Sequence, residues 1–454
     1  MRRLATTLST ALAIGAMLLA SACGGSAGGG VPAAPGAAVR TIAGDGVTIA
    51  SRSLGRPAVS VREERRALLD PPNSAWKMVP ITLRAAFATP LRRSDGAEAG
   101  VLARLTYPRD YAAAILAARA PVVEVRYAGA PTLRWVALGR FEPARDRVTV
   151  ELPSALMNGA TELTLGLGID NPDLKLEKPG PRYWNGKSWS DKGTIVSGKS
   201  TVVLIHGIFS SVESAYPSTC PQKIANAGKF AQVLGFDYAW NEPPSTEGPL
   251  FGDFLKQIAA AKVGSLSIEA HSYGSLVSLA AVPFAEKDVK IDNLVTMGGP
   301  LPLRGTPLAN KDNHWRMGLV LGLLAWVTDE PPSTIDRAYK SGMVASLATN
   351  SDELQKILAG VKGMTNKPKF VEVAGTDWIC FIPGVVSGCW YSEEKFKKVL
   401  LDGSGVETPW DGVVEKIAAN STDIPNPVAS AFKLSHIDLQ CNANVISWVG
   451  KQLR

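Results

Sequence analysis

Histidine and cysteine are scarce in this chain, which has four histidines and five cysteines in 454 residues. The cysteines form no C-x-x-C pair and no cluster with histidine, so the spacing typical of a zinc site is absent. Clustered positive charge is missing too, because the net charge of +7 comes from scattered lysines and arginines. We therefore expect no nucleic acid partner, no metal and no cofactor.

Two long apolar runs occur, and neither predicts a lasting membrane span. MGLVLGLLAWV (residues 317–327) is much too short to cross a bilayer. MRRLATTLSTALAIGAMLLASAC (residues 1–23) has two arginines, an apolar run and then small residues, which is typical of a secretory signal peptide. We therefore expect an exported protein from which residues 1–22 are removed.

The end of this leader, ASAC, resembles the lipobox of bacterial lipoproteins. Ala20 departs from that motif, which usually has a branched aliphatic residue there. The resemblance implies cleavage before Cys23, a lipid on its sulfur, and membrane contact through the anchor in a bacterial envelope. The alternative is an ordinary signal peptide with Cys23 left as an odd thiol.

The other four cysteines are an even number in a chain predicted to enter an oxidising compartment, which favours two disulfides. Four cysteines allow three pairings. Cys380 with Cys389 would close a short local loop, and Cys220 would then pair with Cys441.

Composition divides the rest of the chain. Residues 23–75 are predicted to be a linker, because GGSAGGGVPAAPGAA (24–38) is a flexible tether and the following residues are polar and irregular. Residues 76–185 contain short alternating strands separated by turns, which predicts a smaller β-sandwich-like domain. One segment in it, YAAAILAARA (111–120), has a helical pattern. We find no catalytic constellation here and interpret this domain as a structural spacer, with binding to polymer, cell wall or substrate as the alternative.

From Thr201 onwards apolar strands alternate with helices, which predicts an α/β domain over residues 186–454 with a mostly parallel sheet. Sites in such sheets lie at the carboxyl ends of the strands. Residues 301–368 form a long insertion between two strands. Its apolar run predicts either a lid or acyl-pocket wall or a buried core helix.

LSIEAHSYGSLVSL (266–279) combines an apolar strand, a tight turn with Ser272, and a helix. A nucleophile in such a strained turn needs small residues two positions before and after it, and Ala270 and Gly274 meet this demand. The helix N-terminus adds free N–H groups, among them that of Tyr273. A lone A-x-S-x-G is weak evidence, but its strand-and-helix context favours a nucleophile over an ordinary turn serine.

Upstream, VVLIHGIFSS (202–211) places Gly207 after a strand, so that the next N–H, that of Ile208, can form an oxyanion hole together with Tyr273. The series HGIFSSVESAYPS, VLGFDYAWNEPPS, EAHSYGS and MGGPLPLRGTPLA resembles bacterial lipases and esterases of the α/β-hydrolase fold. This resemblance covers roughly residues 200–454. It implies an α/β-hydrolase fold with a Ser–acid–His triad and leaves the N-terminal domain unexplained.

The base is sought among the four histidines. His206 belongs to the end of the oxyanion strand, His271 is expected to point away into packing, and His314 lies in the lid-like insertion. His436 in FKLSHIDLQ follows the last strand, where the order Ser…Asp/Glu…His predicts the base.

The acid has two candidates. Asp411 in TPWDGVVEKI looks like the segment that carries the triad aspartate of the resembling family, although an ordinary helix N-cap would also favour this residue. Asp377, directly after a strand in VEVAGTDW, is the second candidate. Asp377 with Asp438 could alternatively bind calcium, but no dense set of acidic ligands supports that.

The sequence therefore predicts a serine hydrolase that cleaves carboxylic esters or lipids through an acyl-enzyme on Ser272, His436 and Asp411. Acyl transfer, or hydrolysis of a phospholipid or polyester, is possible on the same triad. A binding lipoprotein that uses the fold only as a scaffold is the alternative from another class. The pattern does not determine the oligomeric state.

Overall fold

A computed structural model of the chain describes residues 40–44, 47–51, 59–64, 76–79, 82–91, 101–106, 118–136, 139–142, 147–152, 154–171, 178–217, 219–301, 305–310, 317–318, 320–321, 331–377, 416–419, 424 and 426–453. Several predicted features lie outside these residues. They are the signal peptide, the tether, Cys23, His314, the Cys380–Cys389 pair and Asp411.

Antiparallel strands make up the described N-terminal part of the chain. They are β1 (Arg40–Gly44), β2 (Val47–Ser51), β3 (Val59–Glu64), β4 (Trp76–Met78), β5 (Thr82–Phe87), β6 (Val101–Thr106), β7 (Ala118–Tyr127), β8 (Ala130–Val136), β9 (Gly139–Glu142), β10 (Arg147–Leu152) and β11 (Ala160–Asp170). One sheet has the order β1-β2-β6-β10-β9 and the other β3-β5-β11-β7-β8, with β4 also paired to β11. Val150 and Leu152 of the first sheet share a buried cluster with Val123 and Leu165 of the second.

Two details differ from the sequence-based expectations. Strands β1, β2 and β3 lie within residues 23–75, the stretch predicted to be a linker. The helix predicted at 111–120 is wrong at its end, because Ala118–Ala120 begin strand β7 and pair with β11. Alanine has the highest helix propensity, but such intrinsic preferences are small, and pairing with a neighbouring strand overrides them here. The domain boundaries themselves stay a prediction.

A second group of strands forms an eight-stranded, mostly parallel sheet. They are β12 (Gly180–Trp184), β13 (Trp189–Ser190), β14 (Ser200–Ile205), β15 (Gln232–Asp237), β16 (Ser265–His271), β17 (Asn293–Met297), β18 (Lys369–Gly375) and β19 (Val428–Phe432). Their order is β13-β12-β15-β14-β16-β17-β18-β19. The strands from β15 to β19 are parallel, and the β12–β13 hairpin joins them antiparallel at one edge.

Helices cover both faces of this sheet. In chain order the described helices are α1 (Ser154–Met157), which precedes β11, and then α2 (Val212–Ala215), α3 (Cys220–Gly228), α4 (Pro244–Ala260), α5 (Gly274–Ala285), α6 (Pro332–Lys340), α7 (Met343–Ser346), α8 (Asp352–Gly363), α9 (Lys416–Ala419) and α10 (Ala443–Gln452). The segments between β17 and β18 include α6, α7 and α8 within the predicted insertion. None of the described helices is long and apolar enough to cross a membrane.

The central helix α5 is buried because its sequence, GSLVSLAAVPFA, is apolar on almost every side. One side packs on the sheet and the other packs on α4. Gly248 and Gly252 of α4 permit this close approach, since a Cβ atom on Gly248 would lie 2.6 Å from the Ala280 Cβ. The helix that starts directly after Ser272 is therefore fixed on both sides.

A strand–turn–helix unit at Ser272, on a mostly parallel sheet that crosses over between β14 and β15, defines the α/β-hydrolase fold. The predicted fold class is confirmed. Its site is expected at the carboxyl ends of β14, β16 and the strands beside them.

Candidate active site

Ser272 occupies a strained turn between β16 and α5. Its φ is 54°, in the left-handed region that a residue with a Cβ atom rarely adopts. The turn is fixed on both sides, because the Ser272 N–H donates to the Met297 carbonyl at 2.8 Å and the Ser275 N–H donates to the Ser272 carbonyl at 2.9 Å. This backbone lifts the hydroxyl out of the strand–helix corner, as a nucleophile requires.

The need for small neighbours is explained by close backbone contacts. A Cβ atom on Gly274 would lie 2.2 Å from the His206 carbonyl oxygen, so no side chain fits there. A Cβ atom on Gly207 would lie 2.8 Å from the Ser272 Cβ. Gly207 and Gly274 thus let the two turns meet, and Ser272 lies directly beside the loop after β14.

His436 contacts this serine. Its Nε2 lies 2.8 Å from the Ser272 Oγ, and both side chains are buried. His436 begins a short 3-10 helix, His436–Asp438, that follows β19. Gly298, at the end of β17 with a φ of 61°, lies against the imidazole, since a Cβ atom there would be 3.0 Å from its Nδ1. The ring is therefore held between Ser272 and the backbone after β17.

The N–H groups predicted for the oxyanion hole are those of Tyr273 and Ile208. Tyr273 directly follows Ser272 in the chain, and Ile208 follows Gly207, which lies beside Ser272. In the described part of the chain, no hydrogen bond links either N–H to another residue. The Tyr273 hydroxyl donates to the Glu242 carbonyl at 2.8 Å, which holds the side chain of Tyr273 in place.

Buried contacts hold the loop that carries Ile208. Phe209 has a φ of 53° and is buried against Trp240, with 4.1 Å between the ring centroids. Asp237 accepts a hydrogen bond from the Val212 N–H at 2.6 Å and pairs with Arg182 of β12. Both the strained residue and the far end of the loop are thus held by buried partners.

His206 contacts main-chain groups through both of its ring nitrogens. The Tyr238 N–H donates to its Nε2 at 3.3 Å, so Nδ1 carries the proton and donates to the Gly207 carbonyl at 2.7 Å. Burial lowers its pKa, which the nearby Asp237 only partly offsets. A neutral His206 therefore orients the carbonyl of Gly207, the residue directly before Ile208.

Asp377 is the described candidate for the acid. It is exposed and follows β18, and its N–H donates to the Leu434 carbonyl at 3.1 Å. Leu434 lies two residues before His436, so the backbone of Asp377 is tied to the segment that carries the histidine. Asp411 lies outside the described residues, and no described group of three or more His, Cys, Asp or Glu could hold a metal ion.

A disulfide joins Cys220, the first residue of α3, to Cys441, with 5.5 Å between the Cα atoms. This is one of the two predicted pairs. Cys441 lies five residues after His436, and the neighbouring Gln440 amide donates to the Ala215 carbonyl at 3.4 Å. The disulfide therefore anchors the chain immediately after the His436 segment.

Comparison with known proteins gives partial likenesses. Residues 174–374 match a family described as "Domain of unknown function (DUF7379)". No curated protein matches the chain.

Solved structures similar to this chain include a Bacillus licheniformis lipase, BlEst2, at 18% identity and a TM-score of 0.39, covering 56% of this chain and 92% of that one. Phospholipase PlaB from Legionella pneumophila has 13% identity and a TM-score of 0.39, covering 57% and 60%. The Pyrococcus furiosus esterase Pf2001 has 14% identity and a TM-score of 0.32, covering 61% and 88%. Matches at these levels do not assign a reaction to this chain.

Sequence reasoning missed three residues of this site. His271 is buried, in agreement with the expectation that it points into packing, but its contact with the main chain of His436 is not predicted. Gly298 and Asp237 were not singled out. A signal existed for both, since Gly298 begins a Gly-Gly pair after an apolar strand, and Asp237 is a lone acid at the end of one.

Proposed function

We propose that this chain is a serine hydrolase that cleaves carboxylic esters through an acyl-enzyme. The observation that carries the proposal is the 2.8 Å contact between the Ser272 Oγ and the His436 Nε2, with Ser272 in a left-handed turn. A serine and histidine in hydrogen-bond reach, with the serine strained outwards, are the arrangement that activates a hydroxyl nucleophile.

In this reaction the Ser272 Oγ attacks the ester carbonyl carbon while His436 takes the hydroxyl proton at Nε2. The N–H groups of Ile208 and Tyr273 stabilise the negative charge on the carbonyl oxygen. His436 then gives its proton to the leaving alcohol. A water that His436 deprotonates attacks the acyl-enzyme and releases the acid, which regenerates Ser272. No cofactor is needed.

The acid that orients His436 is proposed to be Asp411, with Asp377 as the alternative. Asp411 fits the motif of the resembling family, whereas Asp377 has its backbone tied to Leu434. Removing the acid's charge impairs such a triad by orders of magnitude. We therefore compare Asp411→Asn with Asp377→Asn, and expect turnover to fall steeply in Asp411→Asn alone. The reverse result would assign the role to Asp377.

The proposal is tested with p-nitrophenyl esters of increasing chain length and a fluorophosphonate probe, using wild type and Ser272→Ala side by side. We expect turnover and labelling in the wild type and neither in Ser272→Ala. Unchanged labelling of Ser272→Ala would refute the assignment of Ser272 as the nucleophile, and a wild type that turns over no ester would favour the binding lipoprotein.

The same ester series distinguishes the substrate classes. Rates that rise with the length of the acyl chain, or above the concentration at which the substrate aggregates, would identify a lipase. Added alcohol that yields a new ester would identify acyl transfer.

We further propose that the protein is exported and anchored through a lipid on Cys23, and that its substrates are esters or lipids. The Cys220–Cys441 disulfide is compatible with an oxidising compartment. Metabolic labelling with a palmitate analogue should mark the wild type and spare Cys23→Ala. Non-reducing peptide mapping tests the second proposed pair, Cys380–Cys389.

A further inference from the structure

His271 lies between the segment that carries His436 and the loop that carries Ile208. It precedes Ser272 in the chain, and its Nε2 lies 2.9 Å from the main-chain oxygen of His436. The two imidazole rings lie with their centroids 4.9 Å apart. On the other side, Gly207 approaches the ring closely, since a Cβ atom on Gly207 would lie 3.1 Å from the His271 Nδ1. One buried side chain thus contacts the histidine segment and the oxyanion loop.

The chemical state of His271 follows from its surroundings. Burial, together with the nearby His436 and His206, lowers the pKa of His271 to about 3, and only the hydrogen bond to the His436 carbonyl opposes this shift. The ring is therefore neutral at ordinary pH. Because the acceptor at Nε2 is a carbonyl, Nε2 carries the proton and donates it.

We propose that His271 is a positioning residue that holds the His436 segment against Ser272 through its Nε2–H···O bond to the His436 carbonyl. This inference rests on the proposed function. Its physical basis is that His436 starts a short 3-10 helix after β19, where no long helix fixes its backbone. The hydrogen bond spans 165 residues of sequence and ties that backbone to the end of a central strand.

A role as an alternative base is less consistent with this geometry. The His271 Nε2 is directed at a main-chain oxygen, whereas the Ser272 Oγ contacts the His436 Nε2. A neutral positioning group also adds no ionisation of its own between pH 5 and pH 9. The titratable groups that act on it are His436 and His206.

Two variants separate the hydrogen bond from the space that the ring fills. His271→Phe keeps an aromatic ring and removes the donor, whereas His271→Gln keeps an N–H donor at about the same reach. We expect kcat to fall about tenfold in His271→Phe, since a small displacement of a catalytic group has an effect of this size or larger. KM should stay within about twofold of the wild type. His271→Gln should restore most of kcat.

Hydrogen exchange gives a second readout that does not need activity. Amides of residues 430–440 should exchange about fivefold faster in His271→Phe than in the wild type, since a net hydrogen bond of about 1 kcal/mol is lost there. His271→Gln should exchange like the wild type. Thermal unfolding of each variant verifies that it is folded, and if His271→Phe does not fold, His271→Asn, whose amide is too short to reach, replaces it.

The outcomes distinguish the two proposals. A wild type that neither labels nor turns over esters refutes the proposed function, whereas the exchange measurement still tests the contact itself. If wild type is active but His271→Phe has the kcat and the exchange rates of the wild type, the positioning role is wrong and the function stands. An equal fall in kcat in His271→Phe and His271→Gln would also overturn the positioning role, because the N–H donor that Gln retains would then have no effect.

Discussion

The Asp237 carboxylate accepts a hydrogen bond of 2.6 Å from the main-chain N–H of Val212. Val212 is the first residue of α2, and the loop from Gly207 to Ser211 ends there. The same carboxylate pairs with Arg182 from β12 and lies 3.6 Å from the His206 Nε2 at the start of the loop. One buried acid therefore fixes both ends of the segment that carries Ile208.

The first prediction concerns these contacts of Asp237. Asp237→Ala leaves the largely buried Arg182 without its carboxylate and should lower the free energy of unfolding by roughly 3 kcal/mol, measured by urea denaturation. Fluorophosphonate labelling should slow as well, because the loop loses its anchor. Asp237→Asn keeps an acceptor for Val212 and is the matched control, with a smaller loss. Equal stability of wild type and Asp237→Ala would show that the contacts of Asp237 do not stabilise the protein.

The second prediction concerns Gly298. In Gly298→Ala the new Cβ would lie 3.0 Å from the Nδ1 of His436, so the imidazole must shift away from its place beside Ser272. We expect a fall in kcat of about tenfold or more. Gly129→Ala is the control, because Gly129 has a similar φ of 68° but no atom within 4 Å of the new Cβ. It should cost about 1 kcal/mol of stability and leave kcat unchanged. Equal activity of the two variants would refute the contact.

The local sequence pattern was sufficient to predict the strand–turn–helix unit at Ser272. Ala270, Ser272 and Gly274 are constrained by sterics within a few residues, and the apolar strand and helix around them are periodic. The contact of Ser272 with His436 followed from chain order, because strands of a parallel sheet end at one edge. The fold class and this pair could therefore be predicted from sequence.

Contacts between distant segments could not be predicted. The direction of the His271 side chain depends on where the chain after β19 returns, 165 residues later. Pairing of Ala118–Ala120 with β11 overrode a helical pattern for the same reason. The acid stays open between Asp411 and Asp377, since both follow plausible local patterns and only tertiary structure separates them.

The third prediction concerns Glu269 on β16. Burial raises the pKa of this carboxyl from 4.5 to about 8, so at pH 7 it is protonated in the folded protein and ionised in the unfolded chain. Stability from this group is complete below pH 4.5 and falls as the pH rises towards 8, by about 1.4 kcal/mol per pH unit. Glu269→Gln should remove this slope and be the more stable protein at pH 8. Urea titrations of both proteins from pH 5 to pH 9 measure the free energy of unfolding at each pH.

The exposed Glu213 provides the control, since Glu213→Gln should leave the pH dependence of the wild type intact. An unchanged slope in Glu269→Gln would mean that Glu269 is ionised in the folded protein.

The fourth prediction concerns the contact between β11 and α6. The Asp170 carboxylate at the end of β11 accepts a hydrogen bond of 2.8 Å from the Ser333 N–H, in the first turn of α6. A carboxylate there satisfies a free N–H and interacts favourably with the helix dipole. At the other end of α6, Arg337 pairs with Glu242, whose carbonyl accepts from the Tyr273 hydroxyl. The N-terminal sheet is thus connected through α6 to the residue after Ser272.

Asp170→Ala should accordingly weaken the start of α6 by about 1 kcal/mol and speed amide exchange over residues 332–340 about fivefold. Asp336→Ala is the matched control, because Asp336 lies on the same helix and, within the described residues, pairs with the exposed Lys340, an interaction that contributes little. If the N-terminal sheet supports the site rather than being only a structural spacer, fluorophosphonate labelling should slow in Asp170→Ala and not in Asp336→Ala. If amide exchange in α6 is faster in Asp170→Ala but the labelling rate is unchanged, the sheet is only a spacer. The contacts from α6 through Glu242 to Tyr273 would then have no influence on the reactivity of Ser272.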